Sequence, residues 1–94
     1  MQYLTVDGML SGTGVRDTVD GGYISPDELG LSFEQRQRIS QWVCRYEKAH
    51  SAGYRDRTEV ADLDFEGVEI RRLVECELPE SKVVYFSDAD MKKM

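Results

Sequence analysis

Ser32-Phe33-Glu34-Gln35-Arg36-Gln37-Arg38-Ile39-Ser40-Gln41-Trp42-Val43-Cys44-Arg45-Tyr46 sets Ile39, Trp42, Val43 and Tyr46 at i, i+3, i+4 and i+7, a single apolar stripe on a helix. Ser32 is a natural N-cap, and Gln35 sits where its amide can return the capping bond. Gly53 ends the helix. A second helix follows from Thr58 or Glu59 to Leu78, with Pro79 enforcing the stop. Its apolar face is Val60, Leu63, Gly67, Ile70, Val74 and Leu78, flanked by Phe65, Val68 and Leu73. Gly67 inside that face costs about 1 kcal/mol in helix propensity, so a close approach to the partner helix or to a strand is expected there.

Working outward, Gln2 to Asp7 reads as a strand and Lys82 to Phe86 as a second, β-rich one. Between the first strand and the helices lies a glycine-rich loop, residues 8–22. Ser25-Pro26-Asp27-Glu28-Leu29-Gly30 then reads as a single capped helical turn with a left-handed exit at Gly30. The tail, 87–94, is expected to be flexible. The fold class is therefore α+β: two antiparallel helices packed on a small sheet of two or three strands, in the order β-loop-α-α-β. The first and last strands pair, and Tyr23-Ile24 is a candidate third strand.

The 94 residues suit a single domain, 1–94, and 40 % hydrophobic content indicates a globular chain despite 32 % charge. No apolar run reaches the roughly 18 to 20 residues of a spanning helix, and the first residues lack signal-peptide character. A cytoplasmic location is expected. Cys44 and Cys76 are too few for a disulfide framework and read as small buried or half-buried thiols. His50 is the only histidine and there is no C-x-x-C pair, so no metal and no cofactor are expected. A net charge of −6 disfavours nucleic acid and anionic membranes as partners.

The motifs that could carry chemistry are incomplete. Ser11-Gly12-Thr13-Gly14-Val15-Arg16-Asp17 offers backbone N–H groups and a guanidinium to an anion, but it lacks the Gly-Lys-Ser/Thr of a P-loop and the third glycine of a dinucleotide fingerprint. Asp62-x-Asp64-x-Glu66-Gly67 matches the start of an EF-hand loop, yet its twelfth position is Leu73 and the segment is helical. Cys44 and His50, six apart, lie on different helix faces, and His50 reads as a helix-terminal surface residue. No catalytic residues are assigned.

Charge is segregated along the chain. Six bases face two acids between Arg36 and Arg57, whereas eight acids face two bases between Glu59 and Glu80. Part of this is one helix satisfying the other; the rest is a field that a basic partner would meet. The set Ser11 to Asp17, Gly21-Gly22-Tyr23, Leu29 to Ser32, Trp42, Tyr46-Glu47, Glu66-Gly67 and Tyr85-Phe86-Ser87 resembles short uncharacterised bacterial proteins with the size and acidity of toxin-immunity proteins and small phage-borne inhibitors. That resemblance implies a context and transfers no residue role. The expected function is an acidic protein-binding module, a stoichiometric inhibitor of a basic effector such as a nuclease. Its expected contact residues are Ser11, Gly12, Thr13, Gly14, Arg16, Asp17, Glu69, Glu75 and Glu77. The alternatives are a small enzyme using the Ser11–Asp17 loop, and a homodimer or larger homo-oligomer built through the Lys82–Phe86 strand edge.

Overall fold

A computed structural model describes residues 1–9 and 12–94. The chain is α+β, with the elements β1 (Gln2–Val6), β2 (Val15–Asp17), α1 (Phe33–Ser51), α2 (Arg57–Glu77), β3 (Ser81–Ser87) and β4 (Lys92–Lys93). The sheet has four strands in the order β2-β1-β3-β4 rather than two or three. The expected pairing of the first strand with the Lys82–Phe86 strand is present: β1 and β3 are parallel, with Leu4 opposite Val83 and Val6 opposite Tyr85.

Both additional strands lie where the sequence suggested irregular chain. β2 sits inside the glycine-rich segment and pairs antiparallel with β1, Val6 opposite Val15. Tyr23, the candidate third strand, makes only an isolated bridge to Arg16. Lys92-Lys93, in the tail expected to be flexible, pairs antiparallel with Phe86-Ser87. β3 is therefore interior to the sheet, with its far side covered by β4 at that end.

The period of two in the strands turns Leu4, Val6, Val83 and Tyr85 toward the helices, where all four are buried. The helical layer supplies Ile39, Trp42 and Tyr46 from α1, and Leu63, Ile70 and Val74 from α2. Trp42 is 1 % exposed, stands edge-on to Tyr46 and Tyr85, and donates its indole N–H to the Leu63 carbonyl at 2.9 Å. Interhelical contacts pair Arg45 with Glu59, Trp42 with Leu63 and Arg38 with Glu66, so the helices run antiparallel as expected. Gly67 lies where any Cβ would overlap the Tyr85 ring of β3, which accounts for a glycine in mid-helix.

The helix ends differ from expectation in detail. Ser32 caps α1 by accepting from Gln35 N, but it is Glu77 that returns the second bond. α2 is capped by Asp56, which accepts from Thr58 N and Glu59 N, so the helix begins earlier than Thr58 suggested. Residues 26–30 form hydrogen-bonded turns rather than a helix, with Gly30 at φ +75°. No helix among the described residues is long and apolar enough to cross a membrane.

Candidate interaction surface

The hairpin loop between β1 and β2, and the chain just beyond it, bring together most of the residues expected to meet a partner. Asp7, 1 % exposed at the end of β1, accepts from Arg16 Nε at 2.6 Å, from the Tyr23 hydroxyl at 2.6 Å and from Met9 N at 3.3 Å. Burial, then Asp7 itself, pushes the Tyr23 phenol well above its ordinary value, so it remains a donor. The Thr13 hydroxyl donates to backbone carbonyls, Val15 at 2.9 Å and Ile24 at 2.6 Å. Asp17 Oδ1 accepts from Val19 N and Asp20 N, closing the next turn. A Cβ on Gly12 would come within 2.6 Å of the Tyr23 ring, and one on Gly14, at φ +97°, within 2.6 Å of Ile39 Cγ2. Gly12, Thr13, Gly14 and Arg16 thus belong to one closely packed and bonded unit, and Asp17 to the turn that follows it. Ser11 lies outside the described residues.

The three acids expected on the partner-facing side of α2 stand apart from one another. Glu69 is bidentate to Arg72, at 2.6 and 3.1 Å, and that bond holds its carboxyl below the usual range. Glu75 pairs with Arg71 at 2.9 Å, and Arg71 also reaches the Val83 carbonyl. Glu77 is exposed but accepts from Ser32 N at 2.7 Å and Ser32 Oγ at 2.8 Å, bridging the end of α2 to the start of α1. Burial alone would raise the Glu77 carboxyl, but the Ser32 bonds and one from Gln35 outweigh it and the net direction is downward. Lying off the buried face, all three are expected to be exposed; Glu77 is, whereas Glu69 and Glu75 are half-buried.

Other polar clusters are structural in geometry. Buried Asp64 accepts from Tyr85 OH at 2.6 Å and Ser87 Oγ at 3.0 Å, and desolvation followed by that Asp64 bond raises the Tyr85 phenol far above its ordinary value. His50, at the exposed C-terminal end of α1, stands 3.2 Å from the Tyr54 hydroxyl, which donates to Asp88. Cys44 and Cys76 are both exposed, contrary to the buried or half-buried placement expected of them, because each falls on the solvent side of its helix. Among the described residues no group of His, Cys, Asp and Glu could hold a metal ion.

What the sequence reading passed over is the outward face of α2. Phe65, expected to flank the buried stripe, is 79 % exposed, and Val68 is 39 % exposed. At 100° per residue Phe65 stands opposite Leu63, Ile70 and Val74, so a helical wheel carries this signal. Around Phe65, Ala61 and Val68 fall on one side, and Asp62 and Glu69 on the other. On the apolar side a groove of about 390 Å³ is lined by Val60, Ala61, Phe65 and Val68 of α2, by Met94 and by the Arg57–Asp90 ion pair. Comparison of the chain with known protein families, curated proteins and solved structures returns no match.

Proposed function

We propose that this chain is an acidic protein-binding module, acting as a stoichiometric inhibitor of a basic effector such as a nuclease, in the manner of immunity-type or phage-borne inhibitors. The observation that carries the reading is the charge left over after internal pairing. Among the described residues, seven ion pairs engage seven of the 12 bases and seven of the 18 acids, leaving eleven acids against five bases. Of the acids outside these pairs, Asp20, Glu28, Glu34, Asp62 and Glu80 are exposed. Uncompensated exposed charge of one sign steers an oppositely charged partner and sets the salt dependence of its association.

The test is capture on the immobilised chain at low salt, followed by elution near 1 M salt, where the screening length falls to about 3 Å. The expected result is a basic protein that elutes with salt, forms a one-to-one complex, and loses its own activity linearly up to one equivalent of added chain. Retention that ignores salt, or activity that persists at equivalence, rules the reading out.

A further inference from the structure

We infer that the groove beside Phe65 and Met94 receives an apolar side chain of a basic protein segment, whose neighbouring lysine or arginine is held by Asp62 on the other side of Phe65. This rests on the proposed binding function and names its contact. Monomeric proteins scatter single apolar residues over their surfaces, but here Phe65, Val68 and Met94 are exposed together around one depression. The depression is large enough for an aliphatic or aromatic group. Ala61 lines it alongside Phe65, Val68 and Met94.

The sign of the partner follows from the helix geometry. Asp62 has no cation paired with it among the described residues, and Glu69 shares its carboxylate with Arg72 alone. Both lie one helical turn from Phe65, on the side away from the groove. A cation arriving there meets the free Asp62 carboxylate, Glu69 being already held by Arg72, and can also sit against the Phe65 ring face, which attracts positive charge. An apolar centre with a charged rim is the arrangement in which a few anchors dominate affinity. A second copy of this chain is the competing occupant: antiparallel apposition of two α2 helices about Phe65 offers Asp62 of one only Glu69 of the other, a carboxylate already paired with Arg72. The same acids repel an anionic lipid surface.

Amide NMR titration tests this with phenethylammonium as probe and 3-phenylpropionate as its anionic counterpart. Phenethylammonium is expected to shift Ala61, Phe65, Val68 and Met94 saturably, and to bind about two- to fivefold more tightly than the anion, the worth of one exposed ion pair. Asp62→Asn should erase that preference while the groove still binds. Val68→Asp should abolish both responses with the melting temperature retained. Equal affinity for the two probes overturns the cation assignment, and no response at the groove overturns the proposal. A sedimentation mass that doubles as these signals move overturns it in favour of self-association. The two readings fail separately. If Val68→Asp still captures the same basic protein with unchanged affinity, the groove assignment fails and the binding function stands. If phenethylammonium fills the groove but no basic protein is captured, the function fails instead.

Discussion

The loop after β1 and the outward face of α2 look alike in composition, each mixing small residues with charges, yet they end in opposite states. In the loop, Asp7, Thr13, Arg16 and Tyr23 take one another or nearby carbonyls as partners, and Gly12 and Gly14 exist to let Tyr23 and Ile39 come close. On α2, Phe65 and Asp62 are left with solvent. Residue type does not separate a scaffold turn from a contact surface; what separates them is whether the fold returns a partner to each group.

That contrast can be broken at graded strengths. The largest effect is expected at the inner side of the helical layer. Trp42→Ala removes a buried indole and its bond to the Leu63 carbonyl, and should cost about 3–5 kcal/mol, much of the stability of a domain this size. Chemical denaturation measures it. A midpoint shift as small as that of a surface variant would mean that Trp42 of α1 is not packed into the inner side of the helical layer.

Next comes the loop. Gly14→Ala forces a left-handed residue with a Cβ against Ile39, and should cost about 1–3 kcal/mol. Gly21→Ala, at φ +79° with open space around it, isolates the backbone contribution at about 1 kcal/mol. If the two variants melt together, Gly14 is not packed as described and the loop returns to being a candidate contact surface.

A smaller effect belongs to Glu77, which sequence placed among the exposed acids. Glu77→Gln should lose about 0.5–1 kcal/mol through weaker bonds to Ser32, whereas Glu69→Gln should leave the melting temperature where it was. The Glu77 carboxyl is depressed in the folded state, so its stabilisation is complete above the unfolded value of about 4.3 and is lost as pH falls through the folded value. Stability of the parent should therefore fall more steeply below pH 4.3 than that of Glu77→Gln, as measured by thermal melts in an acid series. Identical slopes would remove Glu77 from the capping role. The smallest effect is Phe65→Ala, expected within about 0.5 kcal/mol of the parent; a larger loss would show that Phe65 is packed rather than presented.

The parts of this fold that were legible in sequence share a cause: they rest on local, repeated patterns. The Ile39–Tyr46 stripe, the buried face of α2 and the close approach at Gly67 follow from periodicity and from one glycine in a helical run, and the two β-rich runs were legible as paired strands, though not their parallel direction or their central place in the sheet. Val15–Asp17 and Lys92–Lys93 were not legible because two or three residues carry no period, and they are strands only because β1 and β3 stand beside them. Glu77 bonding Ser32 joins positions 45 apart in sequence, and it displaces the local capping partner Gln35 that the spacing suggested. For the candidate contact residues, sequence supplied the residue types but not the partners that Thr13, Arg16, Asp17, Glu69, Glu75 and Glu77 take within the fold. Phe65 borders the apolar stripe in sequence, but its angle from Leu63 turns it outward to solvent.

Gly67 pressed against Tyr85 and the Trp42 indole on the Leu63 carbonyl have one more effect. Together they fix the rotation of α2 about its own axis, since any roll would drive backbone into the ring or tear the indole from its acceptor. The residues on the opposite side are therefore held at set angles before anything binds. A partner meeting Phe65 finds a preorganised helix and loses little conformational freedom in docking, so the tightness of the core facing the sheet is felt as affinity on the face turned to solvent.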